Sequence, residues 1–169
     1  MAFTFDATPG GAAANSWALV AEGDDYFAGR RNASAWFALD NAGKQVALAS
    51  GTRTLERLGY DGARASATQA LKVPRSGLVD DDGFVLPTLT IPRVFKEALF
   101  EQVLFELNQA TTDPTQPTGL EQFASIEVAG AVSLELRDGA APQQYASAAM
   151  ELLGLFLTGR PGETRLVRA

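Results

Sequence analysis

The chain contains no cysteine and no histidine among its 169 residues. Without cysteine it has no disulfide framework, no zinc–thiolate site and no thiol nucleophile. Without histidine it lacks the commonest general base and the commonest transition-metal ligand. We therefore expect a protein that is not an enzyme and that uses neither a metal nor a cofactor.

Membrane and export signals are also missing from the sequence. Residues 1–11 (MAFTFDATPGG) have neither a positively charged start nor a continuous apolar run, so they do not resemble a secretory signal. No apolar stretch approaches the length that crosses a bilayer. We expect a protein that is made in the cytoplasm and has no membrane partner.

Positive charge is scarce, with 14 Lys and Arg against 20 Asp and Glu, a net charge of −6 and an isoelectric point near 4.6. Binding to a phosphate backbone depends on Lys and Arg side chains that displace counterions. The sequence shows no basic stripe with interleaved aromatic residues, the pattern typical of single-strand binding. The composition predicts a surface that nucleic acid passes without adhering.

What the chain does contain indicates one globular domain with arms. Hydrophobic residues make up 46% and charged residues 20%, which is normal for a soluble domain. We predict an N-terminal arm over residues 1–15, where small residues and Gly dominate, a single domain over 16–157, and a C-terminal arm over 158–169.

Helical periodicity and capping residues predict a mainly α fold, a bundle of about four to five helices. The predicted helices are Val20–Arg30, a short helix with Trp36 capped by Asn32 or Ser34, a helix from the cap Asp40 to Leu58, Pro92–Gln109, and a last helix from Pro142 to Gly159. Residues 60–68 are predicted to be a loop.

A change to period two predicts one small β-hairpin over residues 123–137. Ile126 and Val128 alternate with polar residues before Gly130, and Val132, Leu134 and Leu136 alternate after it. An isolated hairpin is barely stable in water, so this one must pack on the helices or pair with a neighbouring chain.

The stretch from Gln69 to Ala98 joins three parts in a fixed order. Gln69–Leu71 is compatible with the end of a helix that Pro74 and Gly77 would close. An acidic turn with Gly83 follows, and Pro92 then suits the first turn of a helix. The residues by themselves predict two helices joined by an ordered loop.

Asp80–Asp82 is the one acidic cluster in the sequence that is a candidate metal site. A calcium loop needs a closing Glu about a dozen residues after its first Asp, and position 91 is Ile. We predict a solvated acidic turn here, and we interpret Asp24-Asp25 as a pair on a helix surface.

Arg75 follows a proline, which restricts how its guanidinium is presented. Two interpretations are open. It forms an intramolecular pair with an Asp or Glu, or it makes a bidentate contact with a neighbouring subunit.

Several short motifs occur in an order that resembles the head–tail connector (adaptor) family of tailed bacteriophages. They are Ser16-Trp17, Glu22 to Tyr26, Trp36, Lys44 to Leu48, Gln69 to Gly77, and Ile91 to Ala98. Two positions depart from the family's pattern: Val73 stands where Trp is usual, and Leu19 where a Thr commonly caps the first helix.

The resemblance implies a structural virion protein, made in the host cytoplasm and located at the head–tail junction. Such proteins are helical bundles with a small β element that form a ring, usually of twelve copies, beneath the portal. They join the capsid to the tail. Their implied partners are further copies, the portal protein, and a tail or head-closure (nozzle) protein. Genomic DNA would pass through the lumen without specific binding.

For an assembly of this kind we predict a subunit or portal interface in the C-terminal arm, together with Arg75. The residues concerned are Arg160, Arg165, Leu166, Val167 and Arg168. The arginines oppose the charge of an acidic body, and a segment with Gly159, Pro161 and Gly162 folds poorly alone. We expect it to order on contact with the portal or an adjacent copy.

Two other functions are open. Members of the same group are sometimes labelled DnaT-like single-strand DNA-binding proteins, for which the acidic composition predicts binding at micromolar or weaker affinity, lost steeply with salt. A small tail-completion or chaperone-like factor would share the acidity without oligomerising on the portal.

Overall fold

A computed structural model describes residues 3–110, 123–128, 132–136 and 144–158 of the chain. The elements of these residues, in chain order, are α1 (Val20–Ala28), α2 (Ser34–Phe37), α3 (Asn41–Leu55), β1 (Ala63–Arg64), β2 (Arg75–Ser76), α4 (Arg93–Ala110), β3 (Phe123–Val128), β4 (Val132–Leu136) and α5 (Ser147–Leu153). A 3₁₀ turn over Gly154–Phe156 follows α5. The predicted mainly α fold with one small β-hairpin is confirmed.

Helix α4 lies at the centre of the fold and contacts α1, α2, α3 and α5. Its Phe95, Ala98, Leu99 and Val103 are fully buried, so the helix has a broad apolar face in the core. Phe95 is within 6 Å of three other aromatic rings, those of Trp17, Tyr60 and Phe156. These aromatic rings, from elements far apart in the sequence, form one contiguous core with the aliphatic residues around α4.

Local signals place the helix starts close to the predicted positions. The side chain of Asp40 accepts a hydrogen bond from the Gly43 N–H at 2.7 Å, as expected for the N-cap of α3. Pro92 directly precedes α4, where its missing N–H costs no helical hydrogen bond. The cap predicted for α2 is wrong: Ala33 occupies the N-cap, and no side chain caps it. Helix α3 ends at Leu55, three residues before the predicted end.

The two strands of the predicted hairpin pair in antiparallel register, with Val128 opposite Val132 and Ile126 opposite Leu134. This confirms the hairpin that the period-two pattern predicted. The residues between the strands lie outside the described part. The predicted bounds of the last helix, Pro142 to Gly159, are wrong: residues 144–146 are not helical, and α5 covers only Ser147–Leu153 before the 3₁₀ turn. Pro142 and Gly159 themselves lie outside the described part.

The segment from Glu56 to Pro92 corrects the prediction of a helix ending at Gln69–Leu71. Gln69 is buried, and its side-chain amide donates to the carbonyls of Leu71 and Pro74, at 2.7 and 3.0 Å. These bonds hold the main chain in an irregular path rather than a helix. The predicted 60–68 loop also contains β1, which pairs with β2 over two residues on each strand.

Residues 3–15 form no helix or strand, but they lie against the rest of the chain. Gly11 accepts a hydrogen bond from the Ala70 N–H at 3.0 Å, and Ala14 is buried. Asp6 and Asn15 close the segment through main-chain and side-chain bonds. The sequence had indicated an extended arm here, and the contacts show a segment that packs. The proposed domain boundaries stay predictions.

None of the helices in the described residues combines the length and the apolar character that crossing a lipid bilayer requires.

Gly51 allows α3 and α4 to approach closely. A Cβ atom at this position would lie 2.8 Å from Val103 Cγ2 and 3.0 Å from Leu99 Cδ1. The valine cannot rotate away cheaply within a helix. We expect Gly51→Ala to lower the free energy of unfolding by about 1–2 kcal/mol, although alanine favours helix formation.

Urea denaturation followed by circular dichroism measures this effect. Gly154→Ala is the matched control, because a Cβ at Gly154 meets no atom within 4 Å. Its stability should stay within about 0.5 kcal/mol of the parent. Equal stability of the two variants would contradict the close helix contact.

Candidate nucleic-acid interface

The positive charges of this acidic chain are distributed unevenly. Four of the ten Lys and Arg residues in the described part form ion pairs: Arg30 with Glu101, Lys44 with Asp24, Arg93 with Glu97 and Lys96 with Glu22. Five of the other six lie between residues 53 and 75: Arg53, Arg57, Arg64, Lys72 and Arg75. This window has five cations against two carboxylates, a net charge of +3. None of the five forms an ion pair with a described residue.

Three of these cations surround one open cleft with a volume of about 580 Å³. We call it the basic cleft; its lining residues are Glu56, Gly59, Tyr60, Arg64, Ala70, Lys72 and Arg75. They come from the end of α3, the loop after it, β1, the segment between β1 and β2, and β2. The β1–β2 pairing brings Arg64 directly opposite Arg75. The antiparallel register therefore concentrates positive charge at one place on the surface.

Glu56 anchors the floor of the basic cleft. The Lys72 main-chain N–H donates to both oxygens of the Glu56 carboxylate, at 2.8 and 2.9 Å, and Trp17 Nε1–H donates to it at 3.0 Å. Burial raises the pKa of Glu56, and the hydrogen bonds from Lys72 and Trp17 oppose that rise. The Glu56 side chain therefore joins α3 to the segment that leads to β2.

Arg75 stabilises the side of the basic cleft that β2 forms. Its guanidinium donates to the carbonyls of Tyr60, Asp61, Gly62 and Lys72, at 3.1, 2.6, 2.6 and 3.2 Å. Burial lowers the pKa of Arg75, but an arginine stays charged at neutral pH. The contacts are intramolecular, although their acceptors are carbonyls rather than the carboxylates that were predicted. The predicted contact with a neighbouring subunit stays a prediction.

Lys72 and Arg64 keep donors available in the basic cleft. Lys72 Nζ donates one described bond, to the Leu58 carbonyl at 2.8 Å, out of the three that an ammonium group can make. Arg64 is exposed and makes one long bond, 3.4 Å to the Gln69 carbonyl. Both side chains can therefore bind an anion without giving up their present contacts.

The predicted C-terminal interface residues Arg160, Arg165, Leu166, Val167 and Arg168 lie outside the described residues.

Asp80–Asp82 form the predicted acidic turn, in which Asp80 accepts from the main-chain N–H groups of Asp82 and Phe84. The described part of the chain contains no cluster of acidic residues that could hold a metal ion.

Asp24 lies on the helix surface, with 41% of its side chain exposed. It accepts from Trp36 Nε1–H at 2.8 Å and from Lys44 Nζ at 2.7 Å. The bonds from Lys44 and Trp36 lower the pKa of Asp24. Lys44 lies over the Trp36 ring and is mostly buried.

The basic cleft was missed because the sequence was judged by its total charge. Averaged over 169 residues, the chain is acidic and shows no basic stripe. A sliding charge window would have found the +3 segment at 53–75. No local pattern predicts that the β1–β2 pairing brings Arg64 and Arg75 together.

The two tryptophan side chains should report two opposite pKa shifts. In ¹H–¹⁵N spectra recorded over a pH series, we expect the Trp17 indole signal to move at a pH above the ordinary glutamate range, because its acceptor is Glu56. The Trp36 signal should move below the ordinary aspartate range, because its acceptor is Asp24.

The raised pKa of Glu56 determines how its contribution to the stability of the fold changes with pH. A raised pKa means that the folded chain holds the Glu56 proton more tightly than the unfolded chain does. Its stabilising contribution is therefore complete below the ordinary glutamate pKa and is lost as pH rises through the folded value. Glu56→Gln should remove the Trp17 transition and leave that of Trp36. A Trp17 midpoint at or below the ordinary glutamate value would contradict the burial argument.

Comparison with protein families gives one match over the whole chain. A family model described as "Putative DnaT-like ssDNA binding protein" matches residues 1–169. Comparison with curated proteins and with solved structures gives no significant match. Because the family model covers the complete sequence, the chain belongs to the family that carries this description.

Proposed function

We propose that this chain binds single-stranded DNA through phosphate contacts in the basic cleft. The observation that carries the proposal is the group of three cations without ion-pair partners around that cleft, in a protein in which four of the seven other described cations are paired. The description of the family supports the same function.

Arg64 and Lys72 supply the direct contacts in this proposal. Their free donors face an open cleft, and the Arg75 charge adds to the field. Arg75 itself contributes mainly structure, since carbonyls already occupy four of its five N–H donors. The cleft carries three cations against the one carboxylate of Glu56. Such a local excess of positive charge concentrates anionic ligands even on a protein whose net charge is negative.

Binding of this kind is weak and indifferent to base sequence. Among the described residues that line the cleft, the only aromatic one is Tyr60, which is buried and donates its hydroxyl to the Leu55 carbonyl at 2.9 Å. It offers no exposed ring for a base to stack on, so the stacking energy of typical single-strand sites is missing. The net charge of −6 further opposes the approach of a polyanion.

The double variant Arg64→Gln/Lys72→Gln tests the proposal in a fluorescence-anisotropy titration with a labelled oligonucleotide. At low salt we expect an affinity loss of about tenfold or more. The slope of log K against log salt should fall by roughly 1.4, because each lost phosphate contact on a single strand contributes about 0.7.

Arg31→Gln/Arg93→Gln is the matched control, since it removes the same charge at exposed positions outside the basic cleft. It should change the affinity by much less. An equal loss in both variants would show that binding is not located in the cleft. If the parent protein does not bind the oligonucleotide at low salt, the proposed function is wrong.

We propose a second function, the head–tail adaptor of a tailed phage, on a different observation. Phe84, Val85 and Leu89 lie in one loop and are 71%, 71% and 85% exposed. Neighbouring exposed apolar side chains are typical of a surface that binds another protein. The motif order from Ser16 to Ala98 also favours this function. Away from the basic cleft, the acidic surface suits a channel wall along which DNA slides.

Negative-stain imaging of the protein mixed with portal protein tests the adaptor function, with a symmetric collar below the portal as the expected result. Deletion of residues 159–169 should abolish docking and leave the fold intact, because it keeps the Thr158 N–H bond to the Gly59 carbonyl. If the truncated chain still attached to portal-bearing heads, the role of the C-terminal arm would be refuted. Absence of any collar with the full chain would refute the adaptor function.

A further inference from the structure

The loop over residues 79–89, which we call the apolar loop, presents large hydrophobic side chains to solvent. Phe84 and Val85 are each 71% exposed, Leu89 is 85% exposed, and Val79 is 47% exposed. Asp81 and Asp82 are exposed beside them and form no ion pair with a described residue. The loop therefore combines apolar side chains with uncompensated negative charge.

The apolar loop has a defined shape before any partner binds. Val79 and Val85 form an antiparallel bridge, and the Leu86 N–H donates to the Leu78 carbonyl at 2.9 Å. The Asp80 carboxylate accepts from the main chain of Asp82 and Phe84, and Gly83 supplies the positive φ of +87° that the turn requires. A loop held in this way loses little conformational entropy on binding.

We propose that the apolar loop of one copy docks into the basic cleft of a second copy. The charges are complementary: Asp81 and Asp82 would meet Arg64 and Lys72, which have no carboxylate partner of their own in the described residues. Phe84 and Val85 would pack on Ala70 and on the aliphatic stems of the two basic side chains. The cleft, of about 580 Å³, is large enough to accept side chains of this size.

Other occupants fit less well. The loop does not lie in the basic cleft of its own chain, since its tip is largely exposed. A second groove, with Leu86, Leu155 and Phe156 in its wall, is edged by Asp80, Asp81 and Glu151. Among its described lining residues the one cation is Arg93, which is already paired with Glu97. The carboxylates of an incoming loop would meet like charge there, so the charge pattern selects the basic cleft.

A contact between two different surfaces is heterologous, and a pair of copies joined in this way still has one free loop and one free cleft. Repetition of such a contact gives a ring if the rotation closes, or a filament if it does not. The inference uses the same cleft as the proposed DNA binding, so the two ligands should compete, but it does not require DNA binding to occur.

Sedimentation velocity at low salt tests the docking with two variants. The loop variant is Asp81→Asn/Asp82→Asn/Phe84→Ser, which leaves the turn-forming Asp80 intact. The cleft variant is Arg64→Gln/Lys72→Gln. The parent protein should form species larger than a dimer that dissociate as salt is added. Each variant alone should associate with a dissociation constant about tenfold higher or more.

Mixing the two variants gives the sharper test. The intact loop of the cleft variant can enter the intact cleft of the loop variant, and the other two surfaces are disabled. The mixture should therefore form dimers and stop there. Arg31→Gln/Arg93→Gln should assemble like the parent, and circular dichroism should show that every variant is folded.

A monomeric parent protein, a loop variant that assembles like the parent, or a mixture without dimers would each overturn the inference. The oligonucleotide titration separates this failure from a failure of the proposed function. A parent that assembles but does not bind DNA leaves the docking intact, and a monomeric parent that binds DNA leaves the DNA site intact. If both occur, the oligonucleotide should dissociate the assembly.

Discussion

The Glu56 carboxylate is the contact on which the functional surfaces of this chain depend. It sits just beyond the last residue of α3 and binds the Lys72 main chain and the Trp17 indole, so it fixes the irregular segment 56–92 to the helical core. That segment carries both the basic cleft and the apolar loop. Apolar packing alone could not position it, because most of residues 61–68 and 79–90 are exposed or half-buried. Directed hydrogen bonds from a few buried polar groups do so instead, and no buried side-chain polar atom in the described residues lacks a partner.

The charge distribution explains how an acidic protein keeps a positive site. Elsewhere in the described part, four of the five lysines and arginines pair with nearby carboxylates; Glu101 binds Arg30, and Glu22 binds Lys96 at 2.5 Å. In the 53–75 segment the carboxylates are used differently. Glu56 faces the main chain, and Arg75 faces carbonyl oxygens rather than an acid. The local electrostatic potential therefore depends on which acceptor each charged side chain binds in the fold. The net charge of the chain does not predict it.

The sequence predicted those parts of the fold that local rules determine. Asp40 capped a helix, Pro92 preceded one, and alternation around Gly130 gave a hairpin, because each signal acts within a few residues. The segment 56–92 could not be predicted in the same way. Gln69 was interpreted as helical, whereas its amide binds carbonyls at residues 71 and 74, and Arg75 reaches carbonyls 13 to 15 residues away. Side-chain contacts to distant main chain leave no periodic pattern, so neither the cleft nor its charge could be found from spacing.

The arrangement of the two functional surfaces has a physical consequence. Arg75 belongs to β2 and to the wall of the basic cleft, and the apolar loop begins four residues later, at Val79. Gly77, with φ +80°, turns the chain between them, and the Leu78 side chain is buried. The wall and the base of the loop are thus joined by only three residues of main chain. If DNA or another copy bound the cleft as proposed, it would also restrain the base of the loop through that main chain. This link follows from the β1–β2 pairing rather than from a separate regulatory element.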